Sequence, residues 1–81
     1  MQEGMQTESL QELLEQSIEG YVTHTAKEFL DGGQSFRWMT RVLLHSGLGK
    51  QATVDLLMPL SNHRNSFRRE ALFHWLEKAE W

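Results

Sequence analysis

The chain has 81 residues, no cysteine and a net charge of −3 at neutral pH. This length suits one domain, and the absence of cysteine excludes disulfides and thiolate metal sites. No apolar run approaches the ~18 residues that a membrane-spanning helix needs. Apolar residues recur at helical spacing and strand-type alternation is absent, so the sequence predicts an all-α fold, a small bundle of about four helices with a long first helix.

The first predicted helix is amphipathic and acidic. Ser9 and Glu12 have the spacing of a capping box, so we expect the helix to begin at Ser9. Residues 1–8 are then a frayed N-terminus, and residues 9–81 form a single helical domain. One face of the helix carries an apolar stripe. The stripe consists of Leu10, Leu13, Leu14, Ile18, Tyr21 and Val22.

Two glycines shape the first helix. Gly32 is placed to end the helix in the left-handed conformation. Gly20 lies in its middle and allows two interpretations. It either weakens the helix by about 1 kcal/mol relative to alanine, or it marks the close approach of a second helix.

The next two predicted helices are short. Gln34 or Ser35 caps the second helix, Phe36–His45, whose inner face we assign to Phe36, Met39, Val42 and Leu43. Gly47 and Gly49 provide the connection that follows. The third helix spans about Lys50–Met58 and ends at Pro59. Its apolar positions are Ala52, Val54, Leu57 and Met58.

The last predicted helix runs from about Ser66 to Ala79 and is apolar nearly all round. Such a helix is either central in the fold or half-buried by a partner. Six of its residues can face the core: Phe67, Ala71, Leu72, Trp75, Leu76 and Ala79. Aromatic and Arg side chains are enriched at interface hot spots. The candidates for a partner-binding surface are therefore Trp38, Phe73, Trp81, Arg68 and Arg69, while Phe36 and Trp75 are assigned to the core.

Residues 41–60 resemble the helix-turn-helix motif of bacterial regulators, with Gly47 as the turn glycine. This alignment puts Thr53, rather than Val54, at the expected apolar position of the second helix. Lys50, Gln51 and Thr53 are the candidate contacts to bases or phosphates, and Asp55 would repel phosphate. Arg37, Arg41 and Arg64 could add contacts to the DNA backbone, as could Arg68 and Arg69.

Charge is unevenly distributed along the chain. Residues 1–31 contain seven acidic residues and one lysine, a net charge of −6, whereas residues 32–81 contain seven basic and four acidic residues, a net charge of +3. The two halves could neutralise each other within one chain or across a dimer. Alternatively, the basic half is free to meet nucleic acid or an acidic protein.

Other chemistry has weak support. The four histidines lack zinc-ligand spacing, and Gly47-Leu48-Gly49-Lys50 lacks the other residues of a phosphate-binding loop. We expect so small a core to leave little room for a concave site of ~300 Å³ or more. No catalytic residue, metal or cofactor is therefore predicted.

The favoured hypothesis is a small, non-enzymatic regulatory or adaptor protein that binds a protein target, as a homodimer. The alternative is a DNA-binding regulator that uses residues 36–58. Residues 1–8 lack the features of a signal peptide and the chain lacks cysteine, so we expect a cytoplasmic protein with no membrane contact.

Overall fold

A computed structural model describes the backbone of residues 3–81 and the side chains of residues 17–81. Four α-helices follow one another in this part of the chain, and it contains no strand. They are α1 (Glu3–Leu30), α2 (Phe36–His45), α3 (Gly49–Leu57) and α4 (Ser66–Lys78), with a short 3₁₀ turn at Met58–Leu60 after α3. The prediction of a small all-α bundle is confirmed.

The two ends of α1 differ in how well the sequence predicted them. Gly32 has a φ of +89° and ends the helix as predicted, with the N–H groups of Gly32 and Gly33 donating to the carbonyls of Phe29 and Glu28. The start predicted at Ser9 is wrong, because the helix already includes Glu3. The residues before Ser9 are mostly good helix formers, so nothing in the local sequence prevents the helix from beginning earlier. Residues 3–8 of the predicted frayed N-terminus belong to this helix, and fraying stays a prediction for residues 1 and 2, which lie outside the described residues.

The second half of α1 is the centre of the bundle. Its residues Val22, Ala26, Phe29 and Leu30 are buried. The other helices contribute Met39 and Leu43 from α2, Leu57 from α3, and Leu72 and Leu76 from α4 to the same core. The main packing contacts of α2, α3 and α4 are each with α1. The central helix is therefore α1, and α4 packs on its side.

Several predicted core positions are wrong. Phe67 is 82% exposed, because it lies about 140° around the helix axis from the buried Leu72. Ala52 and Met58 are exposed, and Thr53 is fully buried at the inward-facing position of α3. Phe36 is also exposed in part, although its ring contacts those of Phe29 and Trp75.

Gly20 does not mark a close approach between helices of this chain. It is exposed, and a Cβ built on it would have no described atom within 4 Å. The interpretation in which Gly20 simply weakens α1 is the one that the single chain supports.

The end of α1 and the start of α4 are joined by side-chain hydrogen bonds. Asn65 caps α4 by accepting from the Arg68 N–H at 3.1 Å, and its amide donates to the Leu30 carbonyl at 3.2 Å. The Arg68 guanidinium donates to the Phe29 carbonyl at 3.1 Å. His63 Nε2 lies 2.8 Å from Asp31 Oδ1. Two of these bonds, from Asn65 and from the Arg68 guanidinium, reach carbonyls in the last turn of α1, where a helix leaves C=O groups without partners inside the helix.

The fold is elongated, with principal extents of 52 × 24 × 20 Å. A helix of 28 residues is about 42 Å long, so α1 alone accounts for most of the longest dimension. Within the described residues, no helix has the length and apolar character needed to cross a membrane.

Candidate functional site

A surface cleft of about 800 Å³ lies between α1 and α2. We call it the α1–α2 cleft. Its lining residues are Ser17, Ile18, Tyr21 and Val22 from α1, and Trp38, Arg41, Val42, His45 and Ser46 from α2 and its C-cap. The expectation that so small a core leaves little room for a concave site is wrong, because the cleft forms between two helix surfaces rather than inside the core.

The cleft exposes large apolar side chains that a folded domain would ordinarily cover. Ile18 is 40% exposed, Tyr21 52% and Trp38 45%. The apolar stripe of α1 thus extends from the buried Val22 toward the N-terminus, and at Tyr21 and Ile18 no other described part of the chain fully covers it. On α2, Met39 and Leu43 are buried in the core, while Trp38 lies about 100° from Met39 around the helix and faces the cleft.

The α2 side of the cleft is basic. Arg41 and His45 line the cleft and are exposed, and Arg37 is one turn before Arg41 on the same helix. Among the side chains described from residue 17 onward, no Lys or Arg forms an ion pair with a carboxylate. The contacts within salt-bridge distance found there are those of His24 with Glu28 and of His63 with Asp31. The neutralisation of the two charged halves within one chain is therefore not seen in this part of the structure.

The hydroxyl of Ser46, in the lining of the cleft, forms hydrogen bonds at the C-terminal end of α2. The Ser46 hydroxyl donates to the Leu43 carbonyl at 2.8 Å and accepts from the Leu48 N–H at 3.2 Å. These bonds cap α2 just before Gly47, whose φ of +82° turns the chain into α3. Because both hydrogen bonds occupy the Ser46 hydroxyl, the cleft offers apolar area and positive charge rather than an activated nucleophile.

The predicted partner-binding residues do not lie together. Trp38 lines the α1–α2 cleft. Phe73 is partly buried against the core, and Trp81 packs on Trp75 at 5.5 Å between ring centroids. The guanidinium of Arg68 lies 4.9 Å from the ring centroid of Phe29, and Arg69 donates to the His63 carbonyl at 2.7 Å. Four of the five residues therefore have contacts within the chain that stabilise the fold.

The predicted nucleic-acid contacts are also dispersed. Arg37, Arg41 and Arg64 are exposed. Lys50 donates to the Glu77 carbonyl at 3.2 Å, near the end of α4, and Gln51 donates to Asp55 at 3.0 Å along α3. Thr53 has no exposed surface. Only part of the predicted contact set is thus available at the surface of α2 and α3.

Sequence reasoning missed Ile18, Tyr21 and Val42 as parts of a site, because all three were assigned to inner helix faces. A signal was present in the lengths of the predicted helices. The apolar stripe of the first helix extends over more turns than helices of about ten residues can cover. No described group of three or more acidic or histidine side chains is arranged to bind a metal ion.

Comparisons with protein-family models, with curated proteins and with solved structures found no match to this chain. Its function must therefore be inferred from its own surfaces, and the α1–α2 cleft combines a concavity of about 800 Å³ with exposed aromatic and basic side chains.

Proposed function

We propose that this protein is a small binding module, and that the α1–α2 cleft receives an acidic amphipathic helix of a protein partner. The observation that carries the proposal is the group of three half-exposed apolar side chains, Ile18, Tyr21 and Trp38, beside the basic Arg41 and His45. A helix laid in a groove places apolar residues into it at spacings of three and four. Acidic residues flanking that apolar face would meet the basic rim, which favours one class of helix over another.

Tryptophan and arginine are the residue types that most often dominate binding energy at interfaces. Trp38 and Arg41 are both in the cleft, nearly one helical turn apart on α2. We expect these two side chains to contribute most of the affinity. The outer residues of the cleft would chiefly exclude water from them.

A peptide titration tests the proposal. The chain is labelled with ¹⁵N and titrated with two helical peptides that share an apolar face but carry either acidic or basic flanking residues. The acidic peptide should shift the amide resonances of residues 17–22 and 38–46 and bind more tightly than the basic one. Trp38→Ala should weaken binding by roughly tenfold or more. Phe67→Ala, which removes an exposed aromatic residue outside the cleft, is the matched control.

Equal binding of both peptides, or shifts confined to other helices, would contradict the proposal. Loss of binding in Phe67→Ala but not in Trp38→Ala would contradict it as well, since the surface would then be at α4.

DNA binding is the second candidate. It is supported by the positive φ of Gly47 between α2 and α3, and by the burial of Thr53 at the position where a helix-turn-helix motif requires an inward-facing residue. Lys50→Ala or Arg37→Ala should then weaken a steeply salt-dependent affinity for duplex DNA. A flat titration with duplex DNA at about 50 mM salt would reject this candidate, because phosphate contacts are strongest at low salt.

A further inference from the structure

We infer that the occupant of the α1–α2 cleft is the N-terminal half of α1 from a second copy of this chain, in a reciprocal homodimer. This inference rests on the proposed function, because it names the acidic amphipathic helix that the cleft would receive.

The N-terminal part of α1 has the composition that the cleft requires. Residues 3–19 contain five glutamates and no Lys or Arg. The same stretch carries Leu10, Leu14 and Ile18 at intervals of four residues, with Leu13 beside them in the sequence. Its backbone is helical from Glu3 onward. It is therefore an acidic helix with an apolar repeat, and the cleft that would receive it is apolar and rimmed by Arg41 and His45.

This segment cannot enter the cleft of its own chain. Ile18 and Tyr21 belong to α1 and form one wall of the cleft. Since α1 is a continuous helix through these residues, the part before Ser17 runs on along the same axis and does not fold back between α1 and α2. A second chain must supply it.

In a dimer with a two-fold axis, both copies of the chain would contact each other through the same surface. In an isologous dimer, each copy inserts its α1 into the cleft of the other, so both clefts are filled by one symmetric contact. Two α1 helices then run antiparallel, and the acidic half of each copy lies against α2 of the other. This arrangement covers Ile18, Tyr21 and Trp38 and gives Arg41 the carboxylate partner that it lacks among the described side chains.

Sedimentation velocity over a concentration series tests the inference with the full chain. The native protein should shift from monomer to dimer as its concentration rises. Trp38→Ala should raise the dimer dissociation constant by roughly tenfold or more, since truncation of an interface tryptophan commonly has that effect. Phe67→Ala and Arg64→Glu change an exposed aromatic and an exposed basic residue outside the cleft, and they should leave association unchanged.

A charge exchange tests the pairing of α1 with α2. Arg41→Glu alone and the double change Glu12→Arg with Glu15→Arg should each weaken the dimer, whereas an equimolar mixture of the two variants should form a heterodimer. Circular dichroism of each variant checks that the helices are retained. If neither variant is weakened, or if the mixture does not associate, the inference is wrong.

The outcomes separate this inference from the proposed function. A chain that stays monomeric but binds an unrelated acidic amphipathic peptide through Trp38 overturns the second copy as the occupant and leaves the binding module intact. A dimer that is insensitive to Trp38→Ala and Arg41→Glu, together with no peptide binding, overturns both.

Discussion

Thr53 shows how a single residue reports on the packing of the chain. It is fully buried, and its hydroxyl has no hydrogen-bond partner among the described residues. A buried hydroxyl without a partner lowers stability, because folding removes it from water without replacing its hydrogen bonds. The fold tolerates this loss of stability because the residue at this position of α3 faces the core. Thr53 therefore acts as an apolar residue in the fold, despite its polar side chain.

Thr53→Val should raise the free energy of unfolding by about 1 to 2 kcal/mol, because it removes the unpaired hydroxyl at nearly constant size. Urea denaturation followed by circular dichroism measures the change. Thr40→Val is the control, since the Thr40 hydroxyl donates to the Arg37 carbonyl at 2.9 Å. A control that gains as much stability as Thr53→Val would show that burial of the hydroxyl is not the cause.

At the scale of the elements, the junction between α1 and α4 decides where the last helix lies. Asn65 takes part in two roles there, as the cap of α4 and as a donor to the Leu30 carbonyl of α1. Ser35 caps α2 by accepting from the Trp38 N–H and makes no described bond to another helix. One junction residue thus couples two helices, and the other stabilises one helix.

Asn65→Ala should lower the free energy of unfolding by about 2 kcal/mol, the sum of a lost cap and a lost hydrogen bond to a helix end. Ser35→Ala removes only a cap and should cost about 1 kcal/mol. Denaturant titrations of the two variants under the same conditions compare them directly. Equal losses would mean that the bond to Leu30 adds nothing.

Gly20→Ala should stabilise the protein by about 0.5 to 1 kcal/mol, because alanine is the better helix former and no described atom would meet its Cβ. Thermal unfolding followed at 222 nm measures the gain. The dissociation constant of any dimer should stay the same. A weaker dimer in this variant would instead place a helix of the second copy against Gly20.

At the scale of the whole molecule, acidic and basic residues are separated along the chain, and the described part of the fold does not pair them. Seven of the eleven acidic residues lie in α1 and the turn after it, and seven of the eight Lys and Arg residues lie in the other three helices and their connections. Among the described side chains, no ion pair joins a Lys or Arg to a carboxylate. A molecule with one acidic and one basic region is suited to head-to-tail or reciprocal contact with its own copy.

Raising the salt concentration from about 50 mM to about 500 mM should weaken self-association several-fold, because screening shortens the range of attraction between the two charged regions. Sedimentation at the two salt concentrations measures the effect. Arg41→Ala should reduce this dependence on salt. Association that strengthens with salt would indicate a contact dominated by apolar burial instead.

The sequence by itself determined three local features from residue 30 onward. Ser35 as a cap, Gly32 in the left-handed conformation and the start of α4 at Ser66 all follow from interactions within a few residues, which a sequence displays directly. The start of the first helix was misplaced, because a capping signal can lie inside a helix when nothing before it breaks the helix.

Only the tertiary structure decided which apolar faces are covered. Phe67, which was predicted to face the core, is exposed, whereas Thr53, which was predicted to contact nucleic acid, is buried. Trp38 lines the cleft, and Arg68 donates a hydrogen bond to a carbonyl at the end of α1. These outcomes depend on contacts between residues far apart in the chain, such as Arg68 with Phe29, and on the unequal lengths of the helices. A periodic pattern shows that a helix has an apolar face. It does not show how much of that face the rest of the chain can reach, and the uncovered part at Ile18 and Tyr21 is where the proposed site lies.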